Sequence, residues 1–245
     1  MLRRAVLSLA LALAVAAAAP ASSRPHKAVA KKPVATSPVV VELYTAQGCS
    51  SCGKAGAIVE TLSARKGVLP LTFAVDYWDY LGWSDTFAKP AFAERQRAYA
   101  KRLALREVYT PQVVVDGRAQ AAGVHPERVG KLVDDAVALK RDPPQMVFQA
   151  GERIAVGSGR APLGGADVWL VRYDPRVVEV AIKRGDNKGQ TFVLRNVVRQ
   201  LVRLGGWTGR PVSFKSPPAE DDNLSTAIIV QGAKGGRIIG VAVKD

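Results

Sequence analysis

The chain is poor in the residues that carry most enzymatic chemistry. Its 245 residues include two cysteines, two histidines and two methionines. Scarce histidine, with no glycine-flanked serine elbow, gives no basis for a Ser-His-Asp hydrolase. The glycine-rich stretches Gly157-Ser158-Gly159 and Gly232 to Gly236 lack the phosphate-loop pattern and read as turns. There is no internal repeat. Beyond Pro20 no run is long and apolar enough to span a bilayer. Acidic residues are also in short supply, 21 against 35 Lys and Arg, for a formal charge of +14. A basic surface can favour nucleic acid, anionic lipid or acidic partners. With no compact basic-aromatic constellation, nucleic acid is not indicated, and the excess reads as a solvated basic face.

Part of that charge lies in the first residues, which read as a secretion address. Arg3 and Arg4 precede an uncharged apolar run from Ala5 to Ala19, and Ala19-Pro20-Ala21 is a small-residue cleavage pattern. The run is shorter than a membrane span. Residues 1–21 are therefore expected to be a cleaved signal peptide, with no stable membrane span after cleavage. Residues 22–37 form a Pro/Ala/Ser-rich tether holding Arg24, Lys27, Lys31 and Lys32. Removing these six cations from +14 leaves +8 for the body from Pro38 onward. The expected location is the bacterial envelope, periplasmic or secreted, where disulfides form and persist.

The two cysteines stand together as Cys49-Ser50-Ser51-Cys52. A bridge closing so small a loop restrains almost none of the unfolded chain and is a poor staple. A thiol pair at the start of a helix is a ready redox centre. Pro38 to Tyr44 is nearly continuously apolar and β-branched, as in a strand buried on both faces. A helix is expected from about Ser51 to Arg65, with Ala55, Ile58, Val59 and Leu62 on one face. Leu69 to Val75 reads as a second strand, and Phe87 to Leu105 as one or two helices. Gln112 to Val115 is a third strand ending at the hairpin signal Asp116-Gly117, and Pro126 to Leu139 is a final helix. Strand, CxxC helix, strand, helix, X-Pro strand, hairpin and helix follow one another in the order of a thioredoxin-like α/β domain, expected over residues 38–142.

Each part has a chemical expectation. A helix N-terminus favours an anion, so Cys49 is expected to attack as thiolate, while Cys52 resolves the mixed disulfide. Thr110-Pro111 is expected to be cis, presenting the Thr110 backbone to an extended substrate chain. Glu42, an acid in an apolar strand, is a candidate base for Cys52 or an ion-pair partner of an arginine. Tyr77 and Trp78, in Asp76 to Trp83, are candidates for a peptide-binding wall or for aromatic core. Arg95, Gln96 and Arg97 read as a solvated helix face. His125 could join the cysteines in a soft-metal site, though its place before Pro126 suits a capping residue. No metal or cofactor is assigned.

After Arg141-Asp142-Pro143-Pro144 the pattern becomes short strands. They cover Gln145 to Val156, Ala166 to Tyr173, Val177 to Lys183, Thr191 to Leu204, Val212 to Phe214, Thr226 to Gln231 and Arg237 to Val243. Turns are expected at Gly151-Glu152, Asp174-Pro175, Gly185 to Gly189 and Gly235-Gly236. Residues 143–245 are expected to form a small antiparallel β-sandwich domain, immunoglobulin-like. Leu194 to Leu204 suits a helix or a long strand; strand is chosen.

The strings VVVELYTAQGCSSC, VDYWDYLGW, PAFAERQRAYA and VYTPQVVVDGRAQAAG resemble a bacterial secreted family of thioredoxin-like fold, the DUF1223 family of unknown function. RGDNKGQTF and NVVRQLVRLGGWTG extend the resemblance into the second half. It implies a fold and a redox-like motif, with no established substrate. The family usually opens the helix after the dithiol with prolines; here the residues are Gly53-Lys54-Ala55-Gly56, which loosen the first turn. The reading is an exported thiol–disulfide oxidoreductase acting on a protein or small thiol/disulfide substrate with an envelope redox partner. The alternatives are a non-catalytic binding module with a local disulfide, or a copper-handling protein.

Overall fold

The computed structural model describes residues 37–244. The expected signal peptide, and all of the tether except Ser37, lie outside the described residues. Strand β1 (Val39–Thr45) is buried along its whole length, as an uninterrupted apolar run requires. It alternates between two cores. Val39, Val41 and Leu43 pack toward helices α1 (Gly56–Ser63) and α3 (Pro126–Val137). Val40 and Tyr44 pack on the opposite face with Phe92 and Tyr99 of α2 (Pro90–Arg102). Strand β2 (Val68–Ala74) runs parallel to β1, while β3 (Gln112–Val115) runs antiparallel to it. The hairpin to β4 (Ala119–Ala122) turns on Asp116 and Gly117, both at positive φ (51° and 62°). That is the mirror-image turn the Asp-Gly pair favours.

The second half departs from the expected separate β-sandwich. Strands β7 (Ala166–Ala181), β8 (Thr191–Trp207), β10 (Ser225–Gly232) and β11 (Ile238–Lys244) join the first-half strands in one eight-stranded sheet of order β11-β10-β7-β8-β2-β1-β3-β4. The physical reason lies at the β2 edge. Thr72 pairs with Val197 in parallel, the Thr72 hydroxyl donates to the Arg195 carbonyl (2.7 Å), and the Asn196 amide donates to the Pro70 carbonyl (2.8 Å). A small antiparallel sheet of β5 (Met146–Gln149), β6 (Arg153–Val156) and β9 (Val212–Lys215) covers the β7–β10 region through a core of Ile154, Val156, Val168, Trp207 and Ile228. The fold is thus mixed α/β, with one large sheet and one small one.

Leu194 to Leu204 is strand throughout, inside β8. The turn expected at Asp174-Pro175 is instead a break in register within β7, between Asp174 and Val177. Asp174 holds the irregularity, accepting the Arg176 backbone N–H (3.1 Å) and the Arg176 guanidinium (2.8 Å). That side-chain pairing keeps the strand going through a proline that would otherwise end it. Among the described residues no helix is long and apolar enough to cross a membrane.

Candidate functional site

The C-terminal end of β1 delivers the chain to the dithiol. Cys49 and Cys52 form a disulfide, and both residues are buried, at 2% and 1% exposure. The helix expected from about Ser51 starts at Gly56. Between them the chain makes short turns, with Cys52 N–H donating to the Cys49 carbonyl (3.1 Å) and Ala55 N–H to the Cys52 carbonyl (3.0 Å). Strand β8 packs against the first residue of α1. A β-carbon on Gly56 would lie 2.4 Å from the Val193 carbonyl oxygen, so only glycine lets the two backbones meet. Cys49 is therefore two short turns ahead of α1, not at its N-terminus. Beyond its disulfide partner, its Sγ lies 3.5 Å from the Ser51 hydroxyl.

The disulfide is roofed from the second half of the chain. The tip of the β7–β8 hairpin brings Asn187, itself 1% exposed, onto the dithiol loop. Its amide donates to the carbonyls of Gln47 (2.7 Å) and Cys49 (3.0 Å), and Gln190 steadies it by donating to the Asn187 side-chain oxygen (3.1 Å). The same tip reaches the aromatic segment, since a β-carbon on Gly185 would sit 3.1 Å from the Leu81 carbonyl. Trp83 and Thr86 both donate to the Gln47 side-chain oxygen (2.7 and 3.2 Å), while Asp85 accepts the Gln47 backbone N–H (2.6 Å). Burial pushes the Asp85 carboxyl above its ordinary range, and the backbone N–H groups of Gln47 and Phe87 work against that shift.

Thr110-Pro111 is cis. Trp78 joins it to the dithiol loop. The indole N–H donates to the Thr110 hydroxyl (2.8 Å), and the Trp78 backbone lies so close to Gly48 that a β-carbon there would meet it at 3.2 Å. Tyr77 donates to the Gln96 side-chain oxygen (3.1 Å), and burial pushes its phenol up to about 12. Both aromatics are half-buried. They form a bridge behind Thr110, and Tyr80, 78% exposed, is the ring of the segment that faces solvent. Beside the dithiol loop opens a cleft of about 920 Å³, lined by Ser51 and Lys54, by Ile58 and Leu62 of α1, and by Val124 and Val129 at the start of α3. Gly123, also on its wall, lies against Pro111, where a β-carbon would sit 3.0 Å from the ring.

Glu42 is buried but fully engaged. Arg95 grips it through Nε to Oε2 (3.0 Å) and Nη2 to Oε1 (2.8 Å), and the phenols of Tyr44 (2.7 Å) and Tyr99 (2.9 Å) donate to it as well. Four donors fill the acceptor positions of a carboxylate, so Glu42 serves as an ion-pair partner rather than an unengaged base. Arg95 and Gln96, expected on a solvated face, are buried at 5% and 0%. Gln231 of β10 accepts from Arg95 Nη1 (3.0 Å), and the Trp169 ring of β7 lies 5.3 Å from the guanidinium carbon. His125 pairs with Glu127 (Nδ1 to Oε1, 3.5 Å), with its side chain 51% exposed. Among the described residues no three His, Cys, Asp or Glu side chains are grouped to hold a metal.

A family model described as "Protein of unknown function (DUF1223)" matches residues 40–231. The chain belongs to the DUF1223 family. It is similar to a crystal structure of a protein from Agrobacterium tumefaciens, with 30% identity and a TM-score of 0.68 over 84% of this chain and 92% of that one. It also shares a fold with HBP35 of Porphyromonas gingivalis, at 12% identity and a TM-score of 0.54 over 85% and 75% of the two chains. Among curated proteins none matches. Within this DUF1223 chain the residues that sequence reasoning missed are Asn187, Gln47, Asp85 and Arg95. Two of them had a signal. Asn187 lies in RGDNKGQTF, and Arg95 lies between Phe92 and Tyr99 on the inward helical spacing of PAFAERQRAYA.

Proposed function

We propose that this DUF1223 protein is an exported thiol–disulfide oxidoreductase whose β1–β4 and α1–α3 portion is thioredoxin-like. The observation that carries the reading is the linking of two features through Trp78. The Cys49–Cys52 pair follows β1, and the cis Thr110-Pro111 unit is tied to it through Trp78. The order strand, dithiol, helix, strand, helix, cis-proline strand, hairpin and helix supports the same assignment.

In the reducing direction the Cys49 thiolate attacks a substrate disulfide, forming a mixed disulfide and releasing one substrate thiolate. Cys52 then attacks Cys49 Sγ, releases the second substrate thiol and closes the Cys49–Cys52 bridge. Two electrons pass to the substrate, and a dithiol partner returns the bridge to the reduced state. The Ser51 hydroxyl donates to the Cys49 thiolate in the reduced protein, a role the distant helix end does not fill. The Thr110 backbone holds an extended substrate, and the apolar cleft takes a neighbouring side chain.

A titration of the pair against glutathione redox buffers, read by alkylation and mass, tests this. A potential of roughly −120 to −270 mV, with a mixed disulfide trapped by Cys52→Ala, is expected. A potential below roughly −300 mV without exchange would overturn it. One observation favours a second reading, a binding module with a local disulfide: both cysteines are buried, and Asn187 holds the loop that carries them. The oxidoreductase reading requires that this roof opens.

A further inference from the structure

The end of the large sheet remote from the dithiol carries a second site. The β3–β4 turn, the segment after α3 and the start of β11 enclose a cavity of about 270 Å³. Five cationic side chains line it: Arg118, Lys140, Arg141, Arg160 and Arg237, with Asp142 as the one lining carboxylate. Arg141 is already committed, bonding Asp116 and the Ala136 carbonyl. The other four have no ion pair among the described residues. Leu139, Ile238 and Ile239 supply an apolar floor. We propose that this cavity binds a phosphate-bearing anion.

The turns that carry Arg118, Arg141 and Arg237 are fastened to one another. The Asp116 side chain accepts the Val40 N–H (2.9 Å), and its carbonyl accepts the Ile238 N–H (2.8 Å), which fastens the turn carrying Arg118 to the strand that follows Arg237. A β-carbon on Gly117 would come within 2.6 Å of the Gly236 carbonyl, so the two turns are packed backbone to backbone. The Arg141–Asp116 pair fixes the chain leaving α3 to the same point. Like charges gathered on such a frame repel one another. Partial burial, with Arg237 and Arg141 close by, pulls the Arg118 guanidinium below its ordinary value while Asp116 opposes the shift. An anion entering the cavity relieves that repulsion without rearranging the frame. Planar guanidinium forks match the several oxygens of a phosphate better than a single carboxylate does. The volume has room for a phosphate group with part of the molecule that carries it, and the apolar floor suits the carbon next to it.

The phosphate can belong to a soluble molecule or to a lipid headgroup, and two probes separate these. Calorimetry with the full-length protein and inorganic phosphate at low ionic strength reads the first. Co-sedimentation with vesicles of phosphatidylglycerol in phosphatidylcholine reads the second. The expected result is saturable binding of at least one probe, weakened about tenfold or more in Arg118→Gln/Arg237→Gln and unchanged in Lys131→Gln/Lys188→Gln, which removes as much charge elsewhere. Arg118 and Arg237 are exposed, so the melting temperature of the double variant should match the parent. Phosphate binding without vesicle binding assigns the soluble source; vesicle binding lost in the same variant assigns the headgroup. Absence of binding by both probes, or equal weakening in the two double variants, would overturn the proposal.

Discussion

Two buried polar regions flank β1, and they are built on opposite terms. Around Glu42 each charged group has its complement: the carboxylate meets the guanidinium of Arg95 and two phenols, and Arg95 also meets the Gln231 amide, drawn from β1, α2 and β10, although the Nε1 of Trp169 beside Arg95 is buried without a partner. Around Cys49 the closure rests on one side chain, Asn187, and the accounting is incomplete. The Gln47 Nε2 and Thr45 Oγ1 atoms are buried without partners, although native interiors rarely leave such groups unpaired. The difference teaches which region is permanent and which can open. Taking an ion pair apart leaves an uncompensated buried charge, whereas lifting Asn187 costs two amide hydrogen bonds and lets water reach atoms that lack partners.

The largest test of that contrast is Arg95→Met. It leaves the Glu42 carboxylate buried without its cation, and a loss of about 3–5 kcal/mol in denaturant unfolding is expected. Glu42→Gln/Arg95→Met should lose less than the single variant. If the single variant loses under about 1 kcal/mol, the region is not the fixed anchor described. Next comes Asn187→Ala. At a net of about 1 kcal/mol per hydrogen bond, it should speed reduction of the Cys49–Cys52 bridge by dithiothreitol about tenfold or more. An unchanged rate would mean that the hairpin tip does not control access.

Trp78→Phe should act more gently, removing the bond to Thr110. A fall of about fivefold in kcat/KM for a model protein disulfide is expected, with the melting temperature little moved, since one hydrogen bond is worth about 1 kcal/mol. The last effect is confined to alkali. Burial raises the phenols of Tyr44, Tyr77 and Tyr99 above their ordinary value. A raised phenol contributes stability that is complete below the unfolded value near 10 and is lost as pH climbs, for Tyr77, toward about 12. Melting temperatures from pH 9 to 12 should therefore fall less steeply in Tyr77→Phe than in the parent, and parallel curves would remove Tyr77 from the account.

Much of this was legible in the residues. The buried character of β1 and the Asp116-Gly117 hairpin follow from local pattern, because each depends on neighbours in the chain; the cis peptide at Pro111 was expected from its place in the thioredoxin-like order, and local pattern left Leu194 to Leu204 open between helix and strand. What pattern did not convey was partnership. Alternation marks β8 as a strand without saying that its edge meets β2, and a separation from Thr72 to Val197 leaves no local trace. The roof over the dithiol escaped for the same reason: Asn187 in a glycine-bounded turn looks like turn chemistry until the tip is seen against Cys49. Arg95 was misplaced because a charged residue reads as solvated unless its complement is known, and Glu42 stands 53 residues away.

Pro70 looks out of place in the middle of a central strand. Its carbonyl turns to Asn196, and it has no N–H to offer that same edge, which fits a β2–β8 seam with a single ladder pair. The gain lies in the half-made molecule. Without β8, the β2 side of the β1 to β4 strands would be a bare edge, the kind that recruits strands from other chains. A proline there denies such strands a continuous ladder, while Asn196, its backbone at positive φ (51°) and its side-chain amide on the Pro70 carbonyl, gives the one rightful partner a way past it. The imperfect seam is then a safeguard against misassembly, and Pro70→Val should trade it for aggregation during refolding.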